Sequence, residues 1–303
     1  MAQVQFGVVV PTESLNKLRR QHYIADVSHL LNHAKGHFTS AWVVDHLQFD
    51  DSDVLEAWTT LSYLSAQYPE FQWGHTVLCQ SFRNPALVAK MGATLQFLSG
   101  GRFTLGIGAG WHESEYLAYG YEFPRAGIRV KQLDEALHVI KQMWTQDLAS
   151  VEGQHHRIKD AYCEPKPDPV PPIMIGAFKA KMLRLVAKHA DWWNVSSTSI
   201  SDYRKYLGNL ERACEDIGRD PKTIRRSWCG GCACAPTPEE VKHIAGDRLD
   251  PGEDLMGTPQ QLIEQIQAFV ELGVDYFMLD CVDFPELTTA TTLVNEVLPA
   301  FNS

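Results

Sequence analysis

An apolar run that ends in a carboxylate beside an imidazole is the first place where this sequence offers chemistry: Asp45-His46, in SAWVVDHLQF. A neighbouring Asp can orient and tune an imidazole that titrates near neutrality, which makes His46 a candidate proton carrier. The same dipeptide could equally be a strand-end cap beside a hydrogen-bonded histidine, so the pair alone does not decide. In GHTVLCQSFRNPALVAK, β-branched residues give way to Asn84-Pro85, a helix start, and the polar Thr76 and Ser81 are available to face a ligand.

In GGRFTLGIGAGWHESEY, Gly106, Gly108 and Gly110 alternate at a strand end and let another group approach the backbone. The spacing superficially suggests a dinucleotide loop. However, the glycines fall within and just after the strand, and no acidic ribose partner stands about 20 residues on in a βαβ unit, so that fingerprint fits poorly. In PPIMIGAFKAKMLRLVAKHA a strand ends at Gly176 and a helix begins within a few residues. Exposed amides of Gly176, Ala177 and Phe178, with Lys179 and Lys181, would hold an anion such as phosphate; the alternative is an ordinary turn with solvated lysines.

Cys229-Gly-Gly-Cys232-Ala-Cys234, with His243 nearby, invites a zinc reading. A second ligand pair is missing, and alternate residues of a strand point oppositely, so no metal is expected and small packing cysteines are the better account. Ser196-Ser197 and the histidines supply no Ser-His-Asp order, and there is no G-x-S-x-G elbow.

These places must be held by a regular scaffold. Short apolar runs alternate with amphipathic stretches along the chain, a βα repeat. Strands are expected over Val4–Val10, Ser40–Val44, Gln72–Cys79, Phe103–Ile107, Ile173–Ile175, Trp192–Val195, Ile224–Cys232 and Tyr276–Leu279. Helices are expected over Val54–Gln67, Pro85–Leu98, Arg129–Trp144, Ala180–His189, Asp202–Ile217 and Pro259–Leu272, the last placing Leu262, Ile266, Phe269 and Leu272 on one face. Comparable βα units without a break argue for a (β/α)8 TIM barrel with loop insertions rather than an open doubly wound sheet. One barrel domain is expected over residues 1–303. Such a barrel works at the carboxyl ends of its strands, which is where the candidate residues fall. The stretches 147–172 and 245–258 break the rhythm and are candidate lids over the mouth, or surface decoration.

Composition limits the partners. A formal charge of −10, with 27 scattered basic residues, leaves no electrostatic footprint for nucleic acid. The start MAQVQFGVVVP lacks the regions of a signal peptide, and no apolar run reaches the ~20 residues that cross a bilayer, so no membrane partner is expected. Seven cysteines, an odd number, suit free thiols in the cytoplasm.

Beyond these local readings, SAWVVDHLQF, LEAWTTLSYLSA, PKPDPVPPIMIGA, LRLVAKHADWWNV and ELGVDYFMLD resemble the luciferase-like monooxygenases, specifically their coenzyme F420-dependent branch. RNPALVAKM, SGGR, LGIGAGWxExEY and HADWWN, in this order, carry the likeness over nearly the whole chain. The resemblance implies a (β/α)8 barrel whose mouth binds FMN or the deazaflavin, usually as a homodimer. By matching position, it puts Asp45 near the pyrimidine side of the ring. It also makes Thr76-Val77 the bulge that props the ring's middle, often with a cis peptide there. Ala109, Gly110 and Ser114 match ring and tail contacts, and Gly176, Ala177 and Phe178 match the phosphate cradle. His46 matches the active-site base of sugar-phosphate dehydrogenases in the deazaflavin branch. Where those enzymes carry a Trp four residues after the His and a catalytic Glu after the glycines, this chain has Asp50 and Trp111, which argues against glucose 6-phosphate. The expected activity is hydride transfer between F420 and a small organic substrate. An FMN-dependent monooxygenase using molecular oxygen is the alternative, and a flavin-binding barrel without turnover is a third reading.

Overall fold

The computed structural model describes residues 3–14, 20–49 and 52–301; Asp50 lies outside them. Among the described residues, eight parallel strands close into a barrel: β1 (Gln5–Val10), β2 (Ser40–Val43), β3 (Gln72–His75), β4 (Phe103–Gly108), β5 (Ile173–Gly176), β6 (Trp192–Ser196), β7 (Arg225–Cys234) and β8 (Tyr276–Cys281). Each pairs with its sequence neighbour, β8 returns to β1 through Phe6↔Phe277, and β4 meets β5 through Ile107↔Ile175. The strands read as continuous apolar runs because both faces are covered, one by the barrel interior and one by the helices. β2 and β4 are buried at every position.

The helix layer comprises α1 (Tyr23–Ala34), α2 (Ala57–Gln67), α3 (Pro85–Ser99), α4 (Glu113–Ala118), α5 (Ala126–Thr145), α6 (Ala180–His189), α7 (Ile200–Glu215), α8 (Pro238–Ala245), α9 (Pro259–Val270) and α10 (Thr288–Thr292). Asn84 caps α3 as its type predicts, Oδ1 accepting from the Ala86 amide at 2.9 Å. No helix is long and apolar enough to cross a membrane among the described residues.

Several elements differ from the sequence reading. The expected strand Gln72–Cys79 is interrupted at Thr76–Val77, whose peptide is cis, and resumes at Leu78–Cys79. α2 begins after Val54, because Glu56 caps it by accepting from the Trp58 and Thr59 amides. Val54 instead pairs with Glu13 in a short antiparallel ladder that ties together the segments after β1 and β2. α1, α4, α8 and α10 fall outside the helix ranges named above, although α8 carries a readable capping box of Thr237 and Glu240.

The stretch 147–172 contains a hairpin, Ala149–Glu152 against Arg157–Ala161, and it is no lid. It joins the end of α5 to the start of β5, so it lies at the barrel end opposite the mouth, tied to α5 where Glu135 accepts from the His155 and His156 amides. The stretch 245–258 is at the mouth, where Leu255–Gly257 pairs with the far end of β7.

Candidate active site

At the end of β2 the two adjacent candidates serve different ends. Asp45 is buried, and its carboxylate accepts two hydrogen bonds from Arg83, at 2.8 and 2.9 Å, and one from the Cys79 amide at 2.8 Å. Arg83 also pairs with Glu56, the α2 cap. Burial would raise the Glu56 carboxyl, but hydrogen bonds from Thr59 and Arg83 outweigh it and hold it near about 2. Asp45 thus ties the ends of β2 and β3 to the start of α2 through a charge-assisted fork.

His46 turns toward α4, where its Nδ1 lies 3.1 Å from Glu115 Oε1. The other oxygen of Glu115 accepts from the Leu47 amide at 3.0 Å. Both side chains are buried. Burial pushes the imidazole pKa down, but the hydrogen-bonded Glu115, then Glu13 and Asp45, overcome that and leave it raised. Glu115 moves the opposite way, its burial being outweighed by His46 and the Leu47 amide. The two directions agree on an ion pair.

Glu115 does not stand out in the sequence. The position directly after the glycines holds Trp111, and the short α4 brings an acid back to His46 one turn later. Around His46 stand Phe49 and Trp111, with ring centroids 5.2 and 5.9 Å away. Phe49 stacks on His112 at 4.8 Å, and Trp111 is 65% exposed. Ser114 lies on the surface, its hydroxyl 2.9 Å from His112 Nε2.

The middle of the mouth is occupied by Val77. A Cβ at Gly108 would stand 2.8 Å from Val77 Cγ2, and one at Gly176 would stand 3.2 and 3.3 Å from the two Val77 methyl groups. The absence of side chains at these glycines therefore seats Val77, giving an apolar platform between β3, β4 and β5. Beside it, the buried Thr76 hydroxyl lies against the Cys229 thiol. Ala109 follows β4 and is half-buried; Gly110 has φ of +74°, and a Cβ there would overlap the Tyr116 hydroxyl. That hydroxyl lies 2.9 Å from Cys79 Sγ. Burial pushes the Cys79 thiol up to about 11, so it sits in the site as a neutral packing group.

Of the amides expected to form a cradle after β5, that of Ala177 has a partner within the protein. The Ala177 amide donates to Asn194 O at 3.0 Å and its carbonyl accepts from Trp193 Nε1 at 2.7 Å, so Ala177 is committed to the β5–β6 ladder. Gly176 pairs with Asn194 in that ladder. What remains open to an anion begins at Phe178, half exposed, and continues at the start of α6, which no side chain caps. Lys179 and Lys181 stand there.

Of the cysteine run, Cys229 points into the barrel interior with Met174 and Met278, whereas Cys232 and Cys234 pack in the outer core. The run is thus divided between the two faces of β7.

Comparison with known proteins accords with this architecture. Residues 4–253 match the family model for the luciferase-like monooxygenases. The chain is 31% identical over 194 residues to an F420-dependent glucose-6-phosphate dehydrogenase of Kineococcus radiotolerans, an alignment taking in 62% of this chain and 57% of that protein. It is 26% identical over 245 residues to an FMNH(2)-dependent dimethylsulfone monooxygenase of Pseudomonas putida, 67% of each chain. The chain therefore spans little more than half the length of the first of these relatives. In fold, it superposes on an F420-dependent secondary alcohol dehydrogenase solved with an F420-acetone adduct, with a TM-score of 0.86 at 20% identity, over 99% of this chain and 100% of that one. With a match spanning most of the barrel, the chain belongs to the luciferase-like monooxygenase family.

Proposed function

We propose that this chain is an oxidoreductase that binds the deazaflavin F420 at its barrel mouth and passes a hydride between that cofactor and a small organic substrate. The observation that carries the reading is the buried His46–Glu115 pair on the strand next to the Val77 platform. The residues present fit a flat ring with an anionic tail. Val77 offers an apolar prop, Thr76 stands buried beside it, and the uncapped start of α6 favours negative charge. When bound, F420 supplies a two-electron hydride carrier that largely avoids oxygen chemistry.

The chain's own residues then do the rest. Glu115 engages Nδ1 of His46, leaving Nε2 to exchange a proton with a substrate hydroxyl or carbonyl oxygen. Phe49 and Trp111 flank the imidazole edge-on. Thr76, Val77, Ala109, Gly110 and Ser114 face the cofactor, Gly176 to Phe178 lead to its phosphate, and Asp45 positions the ring edge through Arg83 and the Cys79 amide.

Titration of the purified protein with F420 and with FMN, followed by cofactor fluorescence, tests the reading: F420 should bind more tightly. A second reading, an FMN-dependent monooxygenase, draws on the Pseudomonas relative, which aligns over two thirds of both chains. Preferential FMN binding with oxygen uptake would establish it, and tight binding without turnover over a broad substrate panel would indicate a flavin-binding barrel.

We take the working form to be a homodimer in the cytoplasm, the chain making one barrel domain. α2 and α3 leave Tyr63, Leu87, Phe97 and Leu98 exposed, with Leu98 lining a groove of about 270 Å³ between the two helices, a face suited to a second copy. All the cysteines are free, which suits a reducing compartment. Sedimentation of a Phe97→Asp, Leu98→Asp double variant as a monomer is the result expected.

A further inference from the structure

The wall of the mouth formed by β7 and β8 is acidic where the His46 side is aromatic. Along β8, Tyr276 and Met278 lie in the barrel's interior cluster, so the period of two turns Asp280 inward one layer higher, at the mouth. Its register partner on β7 is Gly231, which has no side chain to cover it. The Gly231 amide donates to Asp254 Oδ1 at 3.2 Å, and Asp254 is also held by Ser197 Oγ at 2.6 Å and by the Asp250 amide at 3.0 Å. Among the described residues, no hydrogen bond satisfies the Asp280 carboxyl.

A buried hydroxyl lies behind the same wall. Thr76 is 9% exposed, and its hydroxyl lies against the Cys229 thiol. That thiol is pushed up by burial and drawn down by Thr76, and it also feels the charges of Asp280 and Asp254. Among the described residues, three basic groups at this end are engaged. Arg83 serves Asp45 and Glu56, Arg248 serves the carbonyls of Val282 and Ile244, and His46 serves Glu115.

We propose that Asp280 is a specificity-determining residue that receives a cationic, hydrogen-bond-donating group of the substrate, so that the mouth favours ammonium-bearing substrates over anionic ones of the same size. The proposal rests on the oxidoreductase reading and narrows its substrate class. Electrostatics support it: burial, then Glu13 and Asp254, push the Asp280 carboxyl up to about 6, against the pull of Arg248. A carboxylate held among like charges, with Arg248 committed to backbone carbonyls, gains more than an exposed one from an arriving cation. An anion entering here meets uncompensated repulsion.

The test uses the holoprotein, with F420 or FMN retained as shown by fluorescence, titrated with 1-amino-2-propanol, isopropanol and lactate. The aminoalcohol should bind at least about tenfold more tightly than lactate, isopropanol falling between, and Asp280→Asn should bring the outer two to within about threefold. Cofactor affinity should stay unchanged in that variant. Asp280→Ser repeats the measurement without an amide that could bond to the ligand. Lactate binding as well as the aminoalcohol, a ratio unaltered in both variants, or binding by none of the three would overturn the proposal. A protein that retains neither cofactor fails earlier, at the oxidoreductase reading itself.

Discussion

Glu115 reaches back across 69 residues of sequence to hold its carboxylate 3.1 Å from Nδ1 of His46. The contact joins α4 to the end of β2 and leaves Nε2 as the imidazole nitrogen not engaged by Glu115. Because Glu115 also accepts the Leu47 amide at 3.0 Å, the carboxylate cannot swing away without leaving a backbone donor unpaired.

Replacing His46 with Ala should lower the single-turnover rate by about 10² to 10⁴ while leaving cofactor affinity within a few-fold. A histidine that only stabilises the mouth gives another pattern, a lower melting temperature with a normal rate. Melting, cofactor titration and single-turnover kinetics on one preparation separate the two.

Glu115→Gln should act through His46 and so appear in the pH profile. Glu115 raises the His46 pKa, so its loss should move the histidine-governed limb of the rate profile toward lower pH. The stability sign follows from the same pair. His46 is raised, so its contribution is fully present below the ordinary histidine range and fades as pH rises through the raised value. Glu115 is lowered, so its share disappears in acid below the ordinary carboxylate range. The wild type should therefore exceed the variant in melting temperature near pH 6 and converge with it in alkali. A profile that does not move would remove Glu115 as a positioning residue.

Asp45→Ala should cost stability first. The side chain is wholly buried and pairs twice with a nearly buried Arg83, and removing one partner of such a pair typically costs about 3 to 5 kcal/mol. Cofactor affinity should fall as well, because β2 and β3 lose their tie at the mouth. Denaturant unfolding beside cofactor titration reads both, and unchanged stability would contradict the buried-pair account.

The barrel was legible because each strand is buried on both faces and so stands out as an apolar run between amphipathic stretches. Asn84-Pro85 and Gly176 marked true ends of elements for local reasons of capping and ladder geometry. What could not be read was anything set by tertiary return. The partner of His46 hides in a helix of six residues. The Ala177 amide looks free in sequence, yet the neighbouring strand claims it. The stretch 147–172 has the composition of a lid, but its end of the barrel is decided by connectivity, since it leads into the start of a strand.

Gly176→Ala probes the platform. The added methyl would press on both Val77 methyl groups, 3.2 and 3.3 Å away, and Val77 must shift by a few tenths of an ångström. Overpacking of this kind costs about 1 to 3 kcal/mol, and because Val77 is only partly covered, most of it should appear as weaker cofactor binding rather than lower stability. Gly176→Leu should lose more. Equal cofactor affinity in Gly176→Ala and wild type would take Val77 out of the site.

Asp280→Asn should stabilise the protein, the reverse of what most substitutions of inward-facing residues do. Burial, with Glu13 and Asp254 nearby, pushes the carboxyl up to about 6, and no hydrogen bond is lost when the charge is removed. A carboxyl raised in the folded state favours folding below its unfolded pKa, and that advantage is lost as pH rises through the folded value. Above that point the wild type carries a charge that the unfolded chain bears more easily, whereas asparagine carries none. The variant should therefore melt a few degrees higher at pH 7.5, and the gap should narrow at pH 5, where the wild-type carboxyl takes up its proton. Equal melting temperatures at pH 7.5 would mean that Asp280 is fully solvated or already paired, and either would remove the reason to expect a cation there.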